Sequence, residues 1–382
     1  MSIWNKKHVR AMVFQALVLA AVAALGIYLL NNTLHNLKAR GIATGFGFLS
    51  SEAGFGIIQH LIDYDESSSF GRVFIVGLLN TLLVAGLGIV LATILGFVIG
   101  IGRLSKNWLV SRLAAAYIEI FRNIPLLLQI FFWYFAVLRS LPPPRRSFSL
   151  WDSIFLNIRG LYLPSPVFEE GFFWLVSVTL ATTIGLYLWM RKYRGKTGKN
   201  FLNGFFRNIY VPPALLIVAP MLIFIALGFP VSLEIPRLKG FNFVGGIAVI
   251  PELAALLIAL TIYTAAFIAE IVRAGIEAVG PGQTEAAYAL GLRPGITLRL
   301  VVIPQAMRVI IPPLTSQYLN LTKNSSLATA IGYPDLVSVF AGTTLNQTGQ
   351  AVEVIAITMA VYLSISLVIS IFMNWYNLKS ST

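Results

Sequence analysis

The chain has 382 residues, 57% of them apolar and only 11% charged, whereas a soluble domain carries roughly a quarter charged residues, so its surface is not built for water. A net charge of +13 would point to nucleic acid in a soluble protein, but here Lys and Arg fall in short loops between apolar runs and act as topology signals. With no Cys, and with His8, His35 and His60 scattered, a disulfide framework, a thiolate metal site and a histidine cluster are excluded.

The apolar runs are long enough for helices to cross about 30 Å of hydrocarbon, which takes around 20 residues. Alternating ten-residue strands are absent, so helices must do the spanning. The expected fold is an all-α integral membrane protein with about eight spans, at 11–30, 73–101, 113–138, 172–190, 210–229, 253–272, 312–331 and 354–375. The first run follows Lys6, Lys7 and Arg10 and holds Ala21-Val22-Ala23, which a cleaved secretory signal would also show. It continues unbroken to Leu30, longer than the usual signal core of about 7–15 residues.

With the N-terminus in the cytoplasm, the inner loops hold 17 Lys and Arg and the outer loops 9. That bias puts both termini inside. Most of the acidic residues, Asp335 among them, are expected outside or at outer helix ends. The run Pro142-Pro143-Pro144-Arg145-Arg146 marks a rigid, non-helical outer connection. No tandem repeat and no long polar stretch signals a second, soluble domain.

The inner loop between the sixth and seventh spans, at about 273–308, carries the most information. Its centre reads Gly280-Pro281-Gly282-Gln283-Thr284-Glu285-Ala286-Ala287-Tyr288-Ala289-Leu290-Gly291. Two short helices divided by a glycine are implied, because Gly291 permits a left-handed turn that other residues resist. Ala286, Ala287, Ala289 and Leu290 would give the first helix a small-residue surface able to dock closely. The second helix, over 297–303, is expected to end at Pro304-Gln305-Ala306.

Glu285-Ala286-Ala287, then Gly291, then Val301, Ile303 and Pro304 in register resemble the EAA loop of ABC importer permeases. Three further stretches resemble the polar amino acid branch of that family. They are Asn80-Thr81-Leu82, the run from Ile118 through Arg122-Asn123-Ile124-Pro125 to Gln129, and the run from Tyr263 to Arg273. Leu321-Thr322-Lys323-Asn324-Ser325-Ser326 extends the likeness, which covers 73 to the C-terminus. The added helices are most similar to the Q-type permease of general L-amino acid importers. The resemblance divides the chain into an N-terminal helix and outer loop (1–72), a first part of a five-helix core (73–138), an insertion with two additional spans (139–249) and the rest of the core (250–382).

The resemblance implies a permease subunit in a bacterial inner membrane, embedded in lipid and paired with a second permease chain. Two separate ATP-binding subunits would sit beneath it, and a periplasmic amino acid-binding protein would deliver substrate. It implies a transport subunit, not an enzyme: no cofactor is expected on this chain, ATP and Mg belong to the partner ATPase, and no nucleic acid is involved. Gly195-Lys196-Thr197 imitates the end of a P-loop, but Met190 stands where that motif needs its first Gly. The ATPase-coupling surface would be Gly282, Glu285, Ala286, Ala287 and Gly291, with Pro304 and Gln305 fixing the loop's return.

Charges inside spans are costly. Glu119 and Arg122 lie i,i+3 and either satisfy one another or serve an inner gate or the grip on the ATPase. Glu270 and Arg273 either anchor the inner loop or are interfacial charges. If Pro312-Pro313 opens its helix, Lys323 lies about 16 Å from the inner end. There it and Asn324, Ser325 and Ser326 would receive a substrate carboxylate, unless the ammonium pairs with another helix or snorkels. An ion-coupled secondary transporter using Glu119, Glu270 or Lys323 is the rival reading, and it leaves the inner loop without a purpose. An ion channel would need a filter-like loop or an acidic ring, which the sequence lacks.

Overall fold

The computed structural model describes residues 7–39, 41, 44–168, 172–173, 176–177, 179–181, 183–185 and 231–381. It divides into two compact units, Met1–Ala136 with Glu252–Thr382, and Val137–Pro251.

In the first unit, five helical stretches among the described residues are long and apolar enough to cross a membrane, or six spans if one bent pair is counted. Helix α1 (Lys7–Ala39) carries the first expected span, and its apolar stretch is not buried by the rest of the chain. Helix α2 (Phe70–Arg103) opens on Ser69, whose hydroxyl accepts the Arg72 N–H, as a helix start requires.

The third expected span is not straight. Helices α3 (Trp108–Asn123) and α4 (Leu126–Phe131) meet at 104°. Pro125 is the cause: it excludes the helical conformation from the residue before it, and Ile124 is extended at ψ 126°. The carbonyls freed by the break are satisfied by buried Gln129, whose amide donates to Phe121 O and Ile124 O, each at 3.0 Å. After α4 the chain widens into a π-helical stretch, Phe132–Val137.

Helix α5 (Pro251–Glu277) covers the sixth expected span and outruns it at both ends. It packs against α2 where Gly96 and Gly100 lie: a Cβ on Gly96 would come within 2.6 Å of Ile268 Cβ, and one on Gly100 within 2.7 Å of Ala269 O. The small-xxx-small spacing is thus a helix-packing device, as such spacings commonly are in membranes.

Two short helices follow, α6 (Pro281–Ala289) and α7 (Pro294–Thr297), then a π-helical stretch Leu298–Val302 that runs directly into α8 (Ile303–Asn324). Pro304 therefore does not end a helix. It sits in the first turn of α8, where a missing N–H is tolerated. Nor do Pro312 and Pro313 open one, for both lie inside α8. From Ser325 to Ile331 the chain tightens to a 3-10 helix ended by left-handed Gly332. A wide stretch, Val337–Thr344, leads to the last long helix, α9 (Ala351–Ser381).

Among its described residues the second unit holds eight strands of three or four residues, too short to span a bilayer, where loops alone were expected. They are β1 (Phe148–Leu150), β2 (Ile154–Asn157), β3 (Gly160–Leu163), β4 (Ser165–Phe168), β5 (Val231–Glu234), β6 (Arg237–Lys239), β7 (Asn242–Val244) and β8 (Ile247–Val249). All pairings are antiparallel: β1-β2-β3-β8 form one sheet, β4 pairs with β5, and β6 with β7. Phe243 packs against Phe155 and Tyr162 with centroids 4.7 and 4.8 Å apart. Gly160 turns β2 into β3 at φ +130°, where any Cβ would lie 2.2 Å from Val249 O. The triple proline is not wholly irregular, since Pro144–Arg146 makes one 3-10 turn. The described residues among 172–185 are helical, while the fifth expected span and Gly195-Lys196-Thr197 lie outside the described residues.

Candidate functional site

The loop between α5 and α8 folds as a surface helix with a defined stop. Pro281 occupies the first turn of α6. At the other end Gly291, at φ +76°, donates its N–H to Tyr288 O at 2.9 Å, and Leu292 N–H reaches Ala287 O at 3.1 Å. These two bonds are a Schellman cap, which needs a left-handed residue at this place.

Exposure runs around most of the helix, and Ala287 alone is buried. Gly282, Glu285, Ala286, Ala289 and Leu290 follow the i, i+3, i+4, i+7, i+8 spacing of one face, and all are exposed, Leu290 at 81%. Ala287 is on the other side, 3% exposed, and is part of the packing beneath the helix instead of the outer surface expected for it. Gln305, in the first turn of α8, donates to Gln283 Oε1 at 3.3 Å. Gln283 and Gln305 help line an open groove of about 360 Å³ with Gly280, Gly282 and Val309.

The charges of α3 and α5 partner differently from their spacing. Arg122 does not pair with Glu119; its guanidinium lies 5.1 Å from the centroid of Phe267 on α5, a cation–π contact. Arg273 is held by Glu270 through two bonds, Nη2 to Oε1 at 2.5 Å and Nε to Oε2 at 3.1 Å. It also pairs with Glu277, a residue with no assigned role in the sequence reading. Glu270 and Glu277 flank Arg273 at i−3 and i+4, one helical face.

The residues around Lys323 separate. Lys323 is exposed and Asn324 half-buried, but Ser325 is buried, and its hydroxyl donates to Thr322 O at 2.8 Å. The Ser326 hydroxyl donates to Lys323 O at 2.7 Å. Both serines turn toward the backbone, because the end of α8 frees carbonyls that need donors.

A buried polar centre joins α2 to the segment after Ile331. Asn80, fully buried, donates from Nδ2 to Gln59 O at 2.9 Å and to Pro334 O at 2.8 Å. Thr81 Oγ1 accepts Leu336 N–H at 3.0 Å and donates to Gly77 O at 2.9 Å. Asp335, expected outside or at an outer helix end, lies just before the helical stretch that begins at Leu336 and is buried there, with Oδ1 accepting Ser338 N–H at 2.9 Å. The pattern Gly332-Tyr333-Pro334-Asp335-Leu336 carries the signal in retrospect: a lone acid in an apolar stretch is buried with partners or not retained.

Comparison with known proteins gives consistent likenesses. Residues 181–379 match the family described as binding-protein-dependent transport system inner membrane component. The Escherichia coli (strain K12) protein YhdX, which carries an amino-acid ABC transporter permease name, is 58% identical over 97% of this chain and 93% of its own length. The general L-amino acid transport system permease protein AapQ of Rhizobium johnstonii is 50% identical over 97% of this chain and 92% of its own. The glutamate/glutamine/aspartate/asparagine transport system permease protein BztB of Rhodobacter capsulatus is 45% identical, over 96% and 93%.

Proposed function

This chain belongs to the binding-protein-dependent transport system inner membrane components, and we propose that it couples a separate ATPase to the passage of L-amino acids through an exposed inner helix. It is a multi-pass membrane permease subunit of an amino acid ABC importer and itself a transport component, not an enzyme. The finer assignments that follow extend that membership to particular residues and partners.

The observation that carries the coupling role is α6. A nine-residue helix that leaves Leu290 81% exposed at its capped end is a surface awaiting cover. Gly282, Glu285, Ala286 and Leu290 seat in a cleft of the ATP-binding subunit, while Ala287, Gly291, Pro304 and Gln305 hold the helix to its return. Two ATP-binding subunits carry the ATP and Mg. A second, related permease chain completes the pathway, and a periplasmic amino acid-binding protein delivers substrate. Both termini lie in the cytoplasm.

Residues 73–138 and 250–382 form the core common to such permeases, with 1–72 and 139–249 as additions. The Glu270–Arg273–Glu277 clamp stiffens the end of α5 from which the loop departs, and Glu119 and Arg122 bound the inner gate. The turn from Lys323 through Asn324 and Ser325 to Ser326 belongs to the substrate pathway.

The test is co-reconstitution of the chain with its partner permease, ATPase and binding protein. Glu285→Lys and Leu290→Asp should each abolish ATPase association and amino acid uptake while the detergent-purified permease keeps its melting temperature. Uptake by the permease chains without ATPase or ATP would move the case to an ion-coupled secondary transporter.

A further inference from the structure

Helix α8 has two unlike faces. Ile310, Ile311, Leu314, Leu321 and Thr322 are buried, while Pro312, Ser316, Asn320 and Lys323 are exposed at intervals of four, four and three residues. At 100° per residue, Ser316, Asn320 and Lys323 fall within about 60° of one another, one stripe about 10 Å long. Their side chains have no hydrogen-bond or ion-pair partner among the described residues.

The depth of this stripe follows from its neighbours. Leu321 abuts Gly88, where a Cβ would lie 3.1 Å from Leu321 Cδ2, and Gly88 is near the middle of the 34-residue α2. Toward the inner end, the Tyr318 and Thr93 hydroxyls share a hydrogen bond at 2.8 Å. An ammonium, a carboxamide and a hydroxyl are thus presented together near the middle of a spanning helix. Facing lipid, an unpaired Lys alone would cost several kcal/mol, so the stripe faces water, a ligand or protein.

Pro312 and Pro313 add to the polarity of this face. Each lacks the N–H that would bond a carbonyl one turn earlier, which leaves Arg308 O and Val309 O without that helical donor. Both of those residues are exposed.

We propose that Ser316, Asn320 and Lys323 form a carboxylate-binding stripe on the wet side of α8, along which the amino acid's α-carboxylate is held in transit. Lys323 supplies the charge, and the Asn320 amide and Ser316 hydroxyl supply neutral donors one and two turns toward the inner end. Neighbours in sequence, Ser325 and Ser326, are not equivalent, since their hydroxyls are already committed to backbone carbonyls. The proposal rests on the reading of the chain as an amino acid permease and adds to it the residues that meet the cargo.

The absence of Cys makes single-cysteine labelling direct. In the complete transporter in proteoliposomes, Ser316→Cys and Asn320→Cys should react with a small anionic methanethiosulfonate, and a transported amino acid should slow the reaction at least about threefold. Leu367→Cys, on an exposed apolar part of α9, should not react. In the Asn320→Cys chain, adding Lys323→Gln should slow the anionic reagent severalfold and leave a neutral one unaffected. Lys323→Gln alone should lower uptake at least about tenfold with assembly intact, and Lys323→Arg should restore part of it.

Cysteines that stay unlabelled in an assembled, transporting complex would overturn the stripe while leaving the permease reading standing. So would a Lys323→Gln chain that fails to assemble with its partner yet transports normally once cross-linked to it, which would make Lys323 an interface residue. If the unaltered chain shows no ATP-dependent uptake with its partners, the permease reading fails instead.

Discussion

Replacing Gly291 with alanine should loosen the end of α6, the proposed coupling helix, without disturbing the membrane fold. At φ +76°, with nothing within 4 Å of an added Cβ, the methyl meets no neighbour. The cost is the left-handed conformation itself, about 1–2 kcal/mol for an ordinary L-residue. Set against the two cap bonds at 2.9 and 3.1 Å, that cost shifts the balance between capped and open ends by about 5- to 30-fold. Asparagine enters the left-handed region more readily, so Gly291→Asn should lose less than half as much free energy. The assay is the dissociation constant of the ATPase subunit for permease in nanodiscs, with thermal unfolding measured in parallel. Alanine should weaken association about fivefold or more, asparagine about two- to threefold, and the melting temperature should hold. Equal losses for Ala and Asn, or an unchanged affinity for Ala, would refute the argument that the left-handed cap matters.

Gly100→Val should destabilise the permease by about 1–3 kcal/mol through overpacking, since its Cβ would lie 2.7 Å from Ala269 O and 2.8 Å from Val272 Cβ. Gly86→Ala, with open space around it, should be neutral or slightly stabilising, and thermal unfolding in detergent compares the two. Asn80→Ala removes the donor to Gln59 O and Pro334 O. The buried Pro334 carbonyl then goes unsatisfied at about 1–3 kcal/mol, and the part-buried Gln59 carbonyl loses its donor, read as a lowered melting temperature with early exchange of amides over 332–340.

The spans were legible wherever apolar length decided the matter, because a helix in lipid must satisfy its own backbone and needs a fixed number of residues to cross. Gly96-xxx-Gly100 and Gly291 were legible for a similar reason: each answers a local constraint, close helix approach or a left-handed turn. The 104° bend at Ile124-Pro125 was written in the proline, yet the apolar run on both sides hid it. The strands between Phe148 and Val249 escaped notice because segments of three or four residues leave no periodic signal.

By itself, then, the sequence determined a polytopic helical membrane protein with a glycine-capped short helix between two of its spans, since hydropathy and cap chemistry act through neighbours in the chain. Only the tertiary structure decided which polar groups are spoken for. Arg122 stacks on Phe267 instead of pairing with Glu119, Asp335 is buried with the Ser338 N–H as a partner, and Ser325 and Ser326 bond to backbone while Lys323 stays open. Those outcomes depend on residues far apart in sequence or on where a helix stops, and local spacing carries no record of either.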